Sequence, residues 1–433
     1  MSKIDGVHAR EVLDSRGNPT LEVDIYTQDG MFRAMVPSGA STGIHEAAEL
    51  RDNDGRRYGG KGVIKAVDII NTRIANALTG MDSADQESID NMMISMDGSE
   101  NKSSIGANSI VGASMAICRA GAASNEMPLY RYIAEIAGVR NFILPTPCFN
   151  VINGGIHAGN TLAMQEFMLV PVGAKDFHEA LRMGSEVYHT LKTQIIETYG
   201  KSAINVGDEG GFTPNLKDEE ACLELLTKSI AKAGYEEEIK IAIDPAASQF
   251  LVNGKYDLGF KKSVHRKNDV KSGKEMLKLY ESYTDHYNIA FLEDPFAEDD
   301  WGNFSKLTED IGEKVEIVGD DLLVTNPDRI RIGIAKKAVN GLLLKVNQIG
   351  TVSECINSCK IAQDSGWGIL VSHRSGETED SFLADLSVGL RAGHIKSGAP
   401  CRSERLAKYN KLLRIEEELE GNCKYAGNNF KNP

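Results

Sequence analysis

Apolar and polar residues alternate over 20–26, placing Leu21, Val23 and Ile25 on one face of a strand. Gln28-Asp29-Gly30 predicts a turn and 31–36 the returning strand of a hairpin. From about residue 63 to 125 the spacing becomes helical. It closes in a stretch over 106–123, rich in Gly, Ala and Ser, that lets a helix pack closely on a neighbour. Strands first and helices after make an α+β region, and the connector Leu144-Pro145-Thr146-Pro147 predicts a boundary near residue 140.

Beyond the connector, short apolar runs recur, each ending at a polar or ionisable residue, with helix-length segments between. The run 239–243 ends at Asp244, 289–292 at Glu293, 315–319 at Asp320 and 342–344 at Lys345. The run 369–372 ends at His373, and Ile395 is followed by Lys396. Steps between the last five ionisable residues are 27, 25, 28 and 23 positions. One strand and its crossover helix in a (β/α) barrel take about that length, and such barrels carry functional residues at the C-terminal ends of their strands. A single acid after a strand serves equally as a helix cap, and Asp244-Pro245 and Asp294-Pro295 read as turn punctuation. Six such residues at barrel spacing predict a converging ring.

Composition narrows the chemistry. Of 433 residues, 48 are Lys or Arg and 62 are Asp or Glu, a formal charge of −14, so a basic footprint for nucleic acid is absent. No run of 18 apolar residues predicts a membrane span, and the first residues lack an apolar signal core. Seven cysteines scattered from Cys118 to Cys423 form no disulfide framework. Cys355 and Cys359 share a helix face and read as buried thiols, and the expected compartment is a reducing cytoplasm.

Asp244, Glu293 and Asp320 suit a hard divalent cation such as magnesium, which prefers a few carboxylates plus substrate oxygens. Lys345, His373, Arg374 and Lys396 form a cationic arc for phosphate and carboxylate groups. Metal and arc together predict a small substrate with at least two anionic groups. Glu166 and Glu209 are further acids where apolar runs meet polar loops. The segment 153–160 reads as a lid carrying His157, and 37–43 as a second glycine- and hydroxyl-rich loop. Tyr58-Gly59-Gly60-Lys61-Gly62 lacks the spacing of a phosphate-binding P-loop.

At these motifs the chain resembles the enolase family, nearly end to end. The resemblance rests on Asp14-Ser15-Arg16-Gly17-Asn18-Pro19-Thr20, Ser38-Gly39-Ala40-Ser41-Thr42-Gly43, Gly207-Asp208-Glu209-Gly210-Gly211-Phe212 and Leu292-Glu293-Asp294-Pro295. It continues in Gly319-Asp320-Asp321-Leu322, 343–350, Ser372-His373-Arg374-Ser375-Gly376-Glu377-Thr378 and Lys396-Ser397-Gly398-Ala399-Pro400. The resemblance implies an N-terminal α+β capping domain, residues 1–140. It is followed by a modified (β/α)₈ TIM-like barrel, residues 141–433, beginning β-β-α-α. The implied activity is magnesium-dependent interconversion of 2-phosphoglycerate with phosphoenolpyruvate plus water, using two Mg²⁺ per active site. Asp244, Glu293 and Asp320 are the implied ligands of the first ion, and Ser41 helps hold the second. Lys345 is the expected base, and Glu209 the acid with Glu166 beside it. His373 lies near the leaving group. Substrate contacts are expected from His157, Glu166, Glu293, Asp320, Ser372, His373, Arg374, Ser375 and Lys396. A lysine base must be neutral, so nearby metal and Lys396 are expected to lower Lys345 from its usual value of about 10.4.

Ile156, Pro245, Gln249 and Ser397 depart from the commonest family pattern without removing a catalytic group. The resemblance further implies a homodimer. The helix at 406–419, stopped by Gly421, carries Leu406, Tyr409, Leu412 and Leu413 on one side and reads as packed on the barrel exterior. The alternatives are a different proton-abstracting enzyme of the same superfamily, or a binding protein on this scaffold with catalysis lost or secondary.

Overall fold

The structure, a computed structural model, describes residues 2–40, 42–263 and 266–433. Three antiparallel strands open the chain: β1 (Ile4–Leu13), β2 (Pro19–Thr27) and β3 (Gly30–Met35), in that spatial order. Leu21, Val23 and Ile25 share one fully buried face of β2, as the alternation predicts. Helical structure follows over 64–78, then in α1 (Gln86–Asp97), α2 (Ala107–Ser124) and α3 (Leu129–Ala137). The small residues of α2 bring it close to the sheet: a Cβ on Gly112 would lie 2.8 Å from a Val23 methyl. The opposite face of β2 is covered too. Arg10 and Arg33 lie over Asp24 at 2.6 and 2.7 Å and bury the acidic positions that simple alternation assigns to solvent.

The rest of the chain is built around a closed eight-stranded barrel. Strands β4 (Thr146–Asn153) and β5 (Glu166–Val170) come first, followed by helices α4 (Phe177–Tyr199) and α5 (Glu219–Ala233). Then strand and helix alternate: β6 (Lys240–Asp244), α6 (Gly273–His286), β7 (Ile289–Glu293), α7 (Trp301–Ile311), β8 (Glu316–Gly319), α8 (Pro327–Lys336) and β9 (Gly341–Leu344). Finally come α9 (Val352–Asp364), β10 (Gly368–Ser372), α10 (Phe382–Gly389), β11 (His394–Lys396) and α11 (Ser403–Leu419). The ring runs β7-β8-β9-β10-β11-β4-β5-β6 and closes on itself. This is the β-β-α-α start on an otherwise regular α/β barrel.

β5 alone runs antiparallel to both neighbours. Its first residue, Glu166, therefore sits at the same rim as the last residues of the other strands, paired in register with Asp244 and Asn153. Asp244 and Glu293 close β6 and β7, Lys396 closes β11, and Asp320, Lys345 and His373 directly follow β8, β9 and β10. The apolar runs thus placed all six correctly. Cys355 and Cys359 are buried on α9, and burial pushes the Cys359 thiol up to about 12. On α11, Tyr409 and Leu412 are buried as the stripe predicts, but so are Arg405 and Lys408. No helix among the described residues is long and apolar enough to cross a membrane.

Candidate active site

One cavity at the barrel mouth is lined by His157, Glu166, Glu209, Asp244, Asp320, Lys345, Ser372, His373, Arg374, Ser375 and Lys396. The structure therefore brings together nearly every site residue expected from the sequence. Glu293 joins them through Lys396, whose Nζ donates to Glu293 at 2.7 and 2.8 Å and to Asp244 at 3.1 Å. The same ammonium lies 3.0 Å from Glu166. Ser41 lies outside the described residues. Among the described residues that follow, the Ile44 N–H donates to Glu298 at 2.9 Å.

Glu209 sits in the turn 207–211. The Phe212 N–H donates to the Val151 carbonyl, pinning this turn against β4. Glycine is needed there, because a Cβ on Gly211 would come within 2.5 Å of Asn153 Oδ1. Asn150 Nδ2 donates to Glu209 Oε2 at 2.7 Å, and His157 Nδ1 and His373 Nε2 lie 3.4 and 3.8 Å from its oxygens. Burial raises Glu209, but His373, His157, Arg405 and Lys396 outweigh it and hold the carboxyl well below its usual range. Glu166 goes the other way, raised by burial and then by the Glu209 charge. Of this acid pair, Glu166 therefore holds a proton the more tightly.

Across the mouth, Lys345 Nζ donates to Asp320 Oδ2 at 2.5 Å, while Gln348 Nε2 donates to Oδ1 at 2.8 Å. The lowering expected of Lys345 invokes bound metal, and the protein groups around Nζ act in both directions. Burial lowers it most, but the Asp320 and Glu293 carboxylates together raise it above its ordinary value. Arg374 is engaged as well: its guanidinium donates to both oxygens of Glu46, at 2.9 and 3.1 Å. Ser375 Oγ accepts from the Ala40 N–H at 2.6 Å, joining the 37–43 loop to the same rim.

The expected metal ligands form no tight three-way cluster. Asp244 and Glu293 close on Lys396, and Asp320 closes on Lys345. Among the described residues, the sets with all donor atoms within 4.8 Å of one another are His157, Glu166, Glu209 and Asp294, Asp320, Asp321. The donors nevertheless fit a hard divalent cation. Three carboxylates project from adjacent strands, and burial and the Asp244 charge raise Glu293 even with the Lys396 ammonium against it.

Residues 141–433 match the family model described as "Enolase, C-terminal TIM barrel domain", and residues 4–133 match "Enolase, N-terminal domain". The chain belongs to the enolase family. That membership supports a lyase of the enolase superfamily acting on a small molecule, with acidic residues available for metal.

Among the departures from the usual enolase pattern, Ile156 is 53% exposed and is not part of the cavity lining. Gln249 Nε2 donates to Gln165 Oε1 at 2.5 Å, beside Asp244. Sequence reading missed several contributors. Asp294, read as punctuation, has a left-handed backbone (φ 38°), and its carboxylate accepts the N–H groups of Asp320 and Asp321 at 2.9 and 2.7 Å. Asn150, Gln348 and Glu46 are ordinary polar residues whose role only the three-dimensional arrangement reveals.

Proposed function

We propose that this enolase-family protein is a phosphopyruvate hydratase, interconverting 2-phosphoglycerate and phosphoenolpyruvate plus water with two Mg²⁺ ions per site. The division of capping domain from barrel at residue 140 and a cytoplasmic homodimer belong to the same reading, on the strength of the resemblance. The observation that carries it is an opposition across the ring. Lys345 follows β9, and Glu166 opens β5, four strands away in a ring of eight. A base and an acid pair on opposite sides of one cavity suit removal of a proton from one carbon and a hydroxyl from its neighbour.

Asp244, Glu293, Asp320 and Ser41 are the residues that would hold magnesium, which supplies positive charge where proton loss next to a carboxylate leaves a dianion. Lys345 accepts the C2 proton. With Asp320 engaged elsewhere, burial, Arg374 and Lys396 all act to lower this lysine. The Glu166–Glu209 pair delivers a proton to the departing C3 hydroxyl, with His373 beside Glu209. Arg374, Ser372, Ser375 and Lys396 bind the anionic groups, and His157 contacts substrate from the lid.

The test is ultraviolet absorbance of enol formation from 2-phosphoglycerate, with magnesium and then with excess chelator. Product that depends on magnesium and falls by at least about 100-fold in Lys345→Ala supports the reading. A folded protein that forms no product overturns it in favour of a binding role.

A further inference from the structure

The largest wholly buried side chain in the described structure is Arg405, in the first turn of α11, the helix that follows β11. The two terminal nitrogens of its guanidinium are spent on the site's loops, while Nε lies 3.4 Å from Glu404 Oε1. Nη1 donates to His373 Nδ1 at 2.5 Å and to the Arg374 carbonyl at 2.7 Å. Nη2 donates to the carbonyls of Ser375 at 2.7 Å and Asp208 at 3.0 Å. Its stem threads past Gly398, where a Cβ would stand 2.8 Å from Arg405 Cδ. One side chain therefore touches the loops that carry Glu209, His373 and Lys396.

The contact with His373 has a chemical consequence. A guanidinium keeps its charge at any working pH and offers only donors. An imidazole nitrogen facing it must accept, so Nδ1 carries no proton. The ring is then neutral with its proton on Nε2, and Nε2 is the atom that faces Glu209, 3.8 Å away. We infer that Arg405 is a positioning residue that locks His373 as the neutral Nε2–H tautomer, so that His373 offers a hydrogen-bond donor, never a proton acceptor, to Glu209 and the departing hydroxyl. The charged groups facing the ring agree. Besides Glu209, which favours protonation, His373 faces Arg405, Lys396 and Lys345, and with burial these three keep it neutral. The inference rests on reading Glu209 as part of the acid pair. The tautomer itself can be measured without any turnover.

The experiment is long-range ¹H–¹⁵N correlation of the histidine rings in the full-length, ligand-free protein labelled with ¹⁵N-histidine. Among nine histidines, His373 is assigned by comparison with His373→Asn. The expected pattern is a neutral ring protonated at Nε2, unchanged from pH 5.5 to 8. An Nδ1–H tautomer, or a ring that becomes charged in this range, overturns the inference whether or not the protein makes phosphoenolpyruvate. Arg405→Lys then separates orientation from simple bracing, since it keeps the charge but loses the fork that reaches Nδ1 and the carbonyls together. Its His373 is expected to show mixed tautomers and to titrate. Its kcat is expected to fall about 10- to 100-fold, with a new dependence on pH below 7. An Arg405→Lys protein that loses activity while His373 keeps a fixed Nε2–H tautomer would make Arg405 a brace only.

Discussion

The ion pair between Glu46 and Arg374 gives the sharpest test of how this site is held before ligand arrives. Glu46, in the loop after residue 43, also accepts from the Gly43 N–H at 3.1 Å and from Gln348 at 3.3 Å. Both partners are buried, 9% and 3% exposed at the side chain. Replacing Glu46 by Gln keeps shape and one acceptor but leaves the Arg374 charge without its main counter-ion. Breaking a buried pair in this way costs about 3–5 kcal/mol, and the lower end applies here because Asp320 and Asp321 still face Arg374. At about 2.1 cal/mol/K of unfolding entropy per residue, 433 residues give about 0.9 kcal/mol/K, so Tm should fall by about 3–5 °C. The sign reverses once an anion is added. Under the proposed function, a phosphate reaching Arg374 in the native protein must displace Glu46, and in Glu46→Gln it need not. Thermal melts with and without 2-phosphoglycerate and magnesium should therefore show a larger ligand-induced rise in the variant. A Tm within 1 °C of the native protein, or a smaller rise with ligand, refutes this account.

Three further changes probe other parts of the molecule. Burial raises Asp385 from its ordinary 3.8 to about 6, against Lys411 and Arg119. The folded state thus holds this proton more tightly than the unfolded chain, and native stability should fall as pH rises from about 4 to 6. Asp385→Asn should lack that fall and be more stable at pH 7 by up to ~3 kcal/mol, read from urea denaturation at both pH values; equal slopes would sink the idea. Gly368→Ala puts a Cβ 1.9 Å from Glu316 Oε1, and Glu316 forms a wholly buried pair with His394 at 2.8 Å. A loss of about 3–5 kcal/mol in chemical denaturation is expected, and under about 1 kcal/mol would show that Glu316 yields freely. Lys261 Nζ ties the lid through the carbonyls of Gly155 and Ala158, and burial lowers it to about 8. Limited proteolysis within 154–161 should speed up in Lys261→Met, and the native protein should approach the variant's rate as pH rises through 8 and the ammonium becomes an amine; a constant ratio between the two would contradict the clamp.

What the sequence made legible follows from the physics of a parallel barrel. Strands buried on both faces read as short apolar runs, so the residue where each run stops is the residue at the rim, and 244, 293, 320, 345, 373 and 396 could be located by counting. The same reasoning could not place Glu166 unaided, because it opens an antiparallel strand and regular spacing gives no strand direction. β1 escaped notice because Ile4 and Ala9 are its only wholly buried apolar residues, too few to establish a period. Arg405 and Lys408 are harder still. On a helix with an apolar stripe, charged neighbours read as solvated. These two are buried because loops some 30 residues away present carbonyls and the Glu377 carboxylate to them, Lys408 donating to Glu377 and Thr378 at 2.6 Å each. The lowering expected of Lys345 counts metal and the cations around the lysine, and it omits the Asp320 carboxylate beside it, which only the three-dimensional arrangement reveals.

That omission points to how the site is built. Each cation expected to meet substrate is already held by an internal carboxylate: Lys345 by Asp320, Arg374 by Glu46, and Lys396 by Glu293, Asp244 and Glu166. A doubly anionic substrate entering alone would pull these cations away and leave bare carboxylates in a buried site, a loss that its own contacts repeat with the same sign of charge. Positive charge arriving with the substrate removes the conflict, because the freed carboxylates are oxygen donors of the kind magnesium takes. The ion pairs that neutralise the ligand-free site therefore couple anion and cation binding, and each should bind measurably more tightly in the presence of the other.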